Sequence, residues 1–109
     1  MEIAVKRATV VGGGAFGTAL SLVLARKGAE VSVWVRDTKQ ADAVNAAKEN
    51  EKYLAGTTLP ENLNFTTDIK AAVNDSEIVI MAIPTQFIRP FLEENRSTFP
   101  VGVPLVQSA

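Results

Sequence analysis

The chain has 109 residues, 47% of them hydrophobic, with 11 Lys and Arg against 12 Asp and Glu for a formal net charge of -1. That is enough for one core and too little for two, and the scattered, balanced charge gives no reason to expect nucleic acid or an anionic membrane as a partner. Cysteine and histidine are both absent, which removes disulfides, thiolate chemistry, the usual general base and the commonest metal ligand. No metal site is expected, no apolar run nears the roughly 20 residues of a membrane span, and the opening Met1–Arg7 lacks a signal peptide's apolar region. A single cytoplasmic domain over residues 1–109 is the expectation.

Along the chain, strand-like and helix-like segments alternate without repeats or linkers. Ala8–Val11 is a short β-branched run that stops at glycine. From Phe16 the apolar positions Phe16, Ala19, Leu20, Val23 and Leu24 follow helical spacing, and Gly28 stands where a C-terminal cap belongs. Val31–Val35 predicts a second strand. Asp37 is placed to cap a more polar helix over about Lys39–Glu49. Leu54–Asn64, with Gly56 and Pro60, reads as a loop. Thr67 or Asp68 can cap a short helix through about Val73. Glu77–Ile83 is the strongest strand pattern and is halted by Pro84. Gln86–Glu94 reads as a helix despite Pro90, which argues against its being straight. Val103–Gln107 begins a last strand. Strands that are apolar on both faces and separated by helices predict a parallel sheet covered on each side. The expected fold is therefore α/β, a Rossmann-like doubly wound parallel sheet.

Between the first strand and the first helix lie Gly12, Gly13 and Gly14, with Gly17 one turn later. Gly12, Gly14 and Gly17 form G-x-G-x-x-G. After a strand and opening a helix, the first glycine permits a tight turn and the second clears space for a pyrophosphate. The third lets helix and strand pack closely. The helix start adds free N–H groups and a positive dipole end. Glycine-rich turns are common, so the motif alone is weak; its strand–turn–helix–strand setting makes a dinucleotide the better reading than a structural turn.

The end of the second strand reads Val33-Trp34-Val35-Arg36-Asp37. An acidic residue here would bind the adenosine ribose 2′-hydroxyl and select NAD, while an arginine accepts a 2′-phosphate. Arg36 falls about 24 residues after Gly12, and it can also stack on adenine. Asp37 is better used as a helix cap. The cofactor expected is NADP or NAD, with exclusive use of NAD disfavoured. The competing reading of Arg36 is an ordinary solvated surface residue.

Four stretches together resemble the NAD(P)-dependent glycerol-3-phosphate dehydrogenases: Gly12–Leu20, Trp34–Asp37, Glu51–Pro60 with its Tyr-Leu-x-Gly…Leu-Pro pattern, and Ala82–Phe87 with Pro-Thr-Gln-Phe. The loop and the Pro-x-Gln-Phe segment are the particular ones. Ala55 departs from the family's usual proline. The resemblance implies reversible hydride transfer between NAD(P)H and dihydroxyacetone phosphate, giving sn-glycerol 3-phosphate for phospholipid synthesis, and it allows a homodimer. It also implies that Ala15 and Phe16 line the pyrophosphate turn, Arg36 meets the adenosine end, and Phe87 lies beside the nicotinamide. Plain packing is the competing reading of Phe87. Tyr53 reads as a loop anchor that borders the site, and Trp34 as core.

In the family the strand resembling Pro104–Ala109 is followed by a Lys-Gly pair, and a helical domain supplies the other substrate contacts and a second lysine. The expectation is thus an isolated N-terminal domain, its helical C-terminal domain absent, holding cofactor but catalytically incomplete. No catalytic residue is assigned, because Lys6, Lys27, Lys39 and Lys70 are expected at strand entries or on helices away from the sheet's carboxyl edge. The rival readings are a stand-alone nucleotide-binding or redox-sensing module, or a related 6-phosphogluconate, ketopantoate or nucleotide-sugar dehydrogenase domain.

Overall fold

A computed structural model describes residues 5–99 and 102–107. In chain order the elements are β1 Arg7–Val11, α1 Ala15–Arg26, β2 Glu30–Trp34, α2 Thr38–Ala47, β3 Leu63–Thr66, α3 Ile69–Val73, β4 Ile78–Met81, α4 Thr85–Glu94 and β5 Leu105–Gln107. Ser108 and Ala109, the end of the last strand-like stretch, lie outside the described residues.

The five strands form one sheet in the order β3-β2-β1-β4-β5, every pair parallel. Helices cover both faces, as the apolar strands require. On one face Ala8 and Val10 of β1 pack with Leu22, Leu24 and Ala25 of α1 and Ala41 and Val44 of α2. On the other, Val11 packs with Val73 of α3, Val79 and Met81 of β4, and Ile88 and Phe91 of α4. Thr9 points to that second face, where its hydroxyl donates to the Ala72 carbonyl and meets the Ser76 hydroxyl, so a buried polar group is satisfied.

Local chemistry explains the element ends. Gly28, with φ +100°, terminates α1, and its N–H donates to the Ala25 carbonyl at 3.0 Å. Asp37 caps α2 by accepting from the Lys39 N–H at 2.9 Å. Of the two cap candidates for α3 it is Asp68 that serves, accepting from the Ala71 N–H. α4 runs through Pro90, whose ring lies on the exposed side.

Two expectations need correction. The segment read as loop ends in a fifth, unexpected parallel strand, β3, whose Leu63 and Phe65 are buried while Asn64 is exposed. And the face of α1 that meets the sheet is Gly17, Thr18, Ser21, Leu22, Leu24 and Ala25, so the expected apolar stripe holds only in part: Leu24 is buried and Leu20 packs on the core, but Phe16 and Val23 are 56% and 49% exposed. The helix lies so close to the sheet that small side chains fill the contact.

Candidate functional site

The strand order reverses between β1 and β4: α1 leaves β1 over one face and α4 leaves β4 over the other. Open parallel sheets bind ligands in the crevice this creates at the carboxyl ends of the strands. A cleft of about 220 Å³ lies there, walled by Gly12, Gly13 and Gly14 on one side and by Ile83, Pro84 and Phe87 on the other, with Arg36, Gln40 and Tyr53 at its margin. Pockets that enclose whole ligands hold roughly 300–1,000 Å³, so this one suits part of an extended ligand.

The glycines divide sharply in what surrounds them. At Gly12, with φ +123°, a β-carbon would stand 2.6 Å from the Ala82 carbonyl oxygen. At Gly13 it would meet a Val35 methyl at 2.4 Å and the Phe65 ring at 2.9 Å, and at Gly17 the Gly12 carbonyl oxygen at 2.0 Å. At Gly14 it would meet nothing within 4 Å. Three glycines are therefore demanded by the protein's own packing. The fourth, with ordinary extended φ and ψ of -74° and -169°, is not. Gly13, outside the G-x-G-x-x-G positions, is held as tightly as Gly12 and Gly17.

Ala15 and Phe16 open α1 and are exposed, just beyond the turn. Arg36 is exposed at the cleft margin and forms no ion pair among the described residues. Phe87, 50% exposed in the first turn of α4, faces Gly12–Gly14 across the cleft. Gly17 sits beneath the turn and lines nothing. Tyr53, 39% exposed, does border the cleft. Trp34 donates to the Thr67 carbonyl at 2.9 Å and lies 5.0 Å from the Phe91 ring, so it is chiefly packed, with one edge in the cleft. Nothing in the sequence singles out Gln40; only its place in the first turn of α2, beside the glycine turn, reveals it.

The lysines need a correction. Lys39 and Lys70 lie in the opening turns of α2 and α3, which start at the carboxyl edge rather than away from it. Neither lines the cleft. The Lys52 ammonium sits 5.1 Å from the centre of the Tyr53 ring, and Lys48 pairs with Glu61 at 3.8 Å. A larger groove of about 620 Å³ runs along α4 to Leu105. It has no glycine turn, and its Arg89 is 3.6 Å from Glu93, so size does not make it the better candidate. Among the described residues no acidic cluster could hold a metal, and no helix is long and apolar enough to cross a membrane.

A family model for the N-terminus of NAD-dependent glycerol-3-phosphate dehydrogenase matches residues 7–109, the glycine turn and cleft included. The chain belongs to this family. A glycosomal glycerol-3-phosphate dehydrogenase [NAD(+)] of Trypanosoma brucei brucei is 50% identical over 90 residues, covering 83% of this chain and 25% of the relative. A glycerol-3-phosphate dehydrogenase [NAD(P)+] of Streptomyces coelicolor is 42% identical over 100 residues, covering 92% of this chain and 30% of the relative. The crystal structure of glycerol-3-phosphate dehydrogenase from Coxiella burnetii superimposes with a TM-score of 0.89 at 26% identity, over 94% of this chain and 32% of that one. The chain thus spans about a quarter to a third of the glycerol-3-phosphate dehydrogenases it matches. The family is one of NAD(P)-dependent oxidoreductases, and the relatives' names include both NAD(+) and NAD(P)+.

Proposed function

We propose that residues 1–109 form one NAD(P)H-binding domain of a glycerol-3-phosphate dehydrogenase. The reaction it serves is the reversible reduction of dihydroxyacetone phosphate to sn-glycerol 3-phosphate, a phospholipid precursor. The observation that carries the reading is the open face of Gly14, in a turn whose other glycines are closed off by protein atoms. A backbone that could accept a side chain yet has none leaves room for something that is not protein. In this proposal Gly12 and Gly17 build the turn, Gly14, Ala15 and Phe16 face the pyrophosphate, Arg36 meets the adenosine end, and Phe87 flanks the nicotinamide. When bound, the nicotinamide supplies a hydride to the carbonyl carbon.

The carbonyl oxygen gaining charge in that step needs a proton or a cation. No lysine among the described residues lines the cleft, so the residues in hand bind and orient, and none is assigned to catalysis. The reading also places the protein in the cytoplasm, in keeping with its cysteine-free composition. A homodimer is compatible with the exposed Leu105 and Val106 on β5. Calorimetric titration of the 109-residue chain with NADPH and NADH tests the function. Saturable binding, without consumption of NADPH when dihydroxyacetone phosphate is added, is the expected result. A folded chain that binds neither cofactor would contradict it.

A further inference from the structure

We propose that Asn50, assisted by Gln40, is a positioning residue that sets the orientation of the Gly13–Gly14 peptide and so aims the Gly14 N–H into the cleft. The inference rests on the cofactor reading above and adds to it a residue outside the glycine motif. Asn50 lies three residues beyond α2 and is 2% exposed. A buried amide must find partners, and its side-chain nitrogen has two: the Gly13 carbonyl at 3.0 Å and the Thr18 hydroxyl at 2.9 Å. The Gly13 oxygen can only accept, which fixes the nitrogen end of the side chain toward it.

Two further donors converge on the same oxygen, the Thr18 hydroxyl at 3.2 Å and Gln40 Nε2 at 3.1 Å. Three side chains from three segments therefore hold one carbonyl on the protein side of the turn. The described chain has no cis peptide, and in a planar trans peptide the following N–H points opposite to the carbonyl. The Gly14 N–H is thereby directed outward, and among the described residues it has no acceptor. Without these donors the two-glycine peptide would be free to rotate, because glycine tolerates many backbone conformations. Asn50 also links the turn to the cleft wall. Its own carbonyl accepts from the Tyr53 N–H at 3.2 Å and the Leu54 N–H at 2.7 Å, which closes the loop that presents Tyr53.

The test uses the 109-residue chain and three variants. Asn50→Asp keeps the shape and removes both donors, Asn50→Ala removes the side chain, and Gln40→Met alters a half-exposed residue the fold can spare. NADH affinity is measured by calorimetry, and the Gly14 amide is followed by ¹⁵N–¹H NMR with Gly28 and Gly56 as remote references. The expected result is a loss of affinity of about tenfold for the Asn50 variants and about threefold for Gln40→Met, with the Gly14 signal displaced and the references unmoved. Folded variants that bind NADH like the parent would overturn the proposal. So would weakened binding with the Gly14 signal in place. Should the Asn50 variants not fold, Gln40→Met decides by the same criteria. A parent chain that does not bind NADH defeats the cofactor reading itself, and the proposal with it.

Discussion

The two faces of the glycine turn are built on opposite terms. On the inner face Gly12, Gly13 and Gly17 are pressed against backbone and core, and any β-carbon there would lie 2.0–2.6 Å from a neighbouring atom. On the outer face Gly14 has an ordinary backbone conformation and, among the described residues, empty space beside it and no acceptor for its N–H. The same residue type thus answers two different demands a few residues apart. The inner glycines are explained by the fold, whereas for the outer one the proposed pyrophosphate supplies the reason.

Substitutions can break this comparison. The largest effect on stability is expected on the inner face. Gly17→Ala drives its methyl into the Gly12 carbonyl oxygen, which α1 cannot escape without lifting off the sheet. A destabilisation of about 3 kcal/mol should lower the melting temperature by more than about 10 °C. Calorimetric unfolding checks this, and a shift of only a degree or two would mean that the turn relaxes freely. A smaller and different effect is expected at the margin of the open face. Arg36 is exposed and free of ion pairs among the described residues, so Arg36→Asp should leave stability nearly unchanged. If its guanidinium grips a 2′-phosphate, the substitution weakens NADPH more than NADH by about 1.5–3 kcal/mol. Equal losses for both cofactors in parallel titrations would assign Arg36 to adenine stacking instead.

Much of this was legible in the sequence because it is encoded by local rules. The apolar runs of β1, β2 and β4, the Asp37 cap and the Gly28 stop each follow from a few neighbouring residues, and the structure bears them out. β3 was not legible as a strand. Its four residues follow a loop, and the alternation of Leu63 and Phe65 with Asn64 is too short to stand against the glycine and proline before it. The α1 face was misread in part, for another reason. Helical periodicity identifies an apolar stripe, but contact with the sheet is close enough to favour Gly17, Thr18 and Ser21, leaving Phe16 and Val23 outside. Within the candidate site, the motif glycines, Arg36 and Phe87 could be picked out by spacing and resemblance. Gly13, Gln40 and Asn50 could not, since their part depends on hydrogen bonds and contacts between segments 27 and 37 residues apart.

The measurement that bears most directly on the outer face is the titration of Gly14→Val with NADPH, paired with a thermal melt of the same sample. Among the described residues, a side chain there meets no atom beyond its chain neighbours within 4 Å of its β-carbon, and it stands where the pyrophosphate is proposed to lie. The expected result is a melting temperature close to that of the parent and no detectable binding. A Gly14→Val chain that melts like the parent and binds NADPH with unchanged affinity would contradict the assignment of this turn to the cofactor.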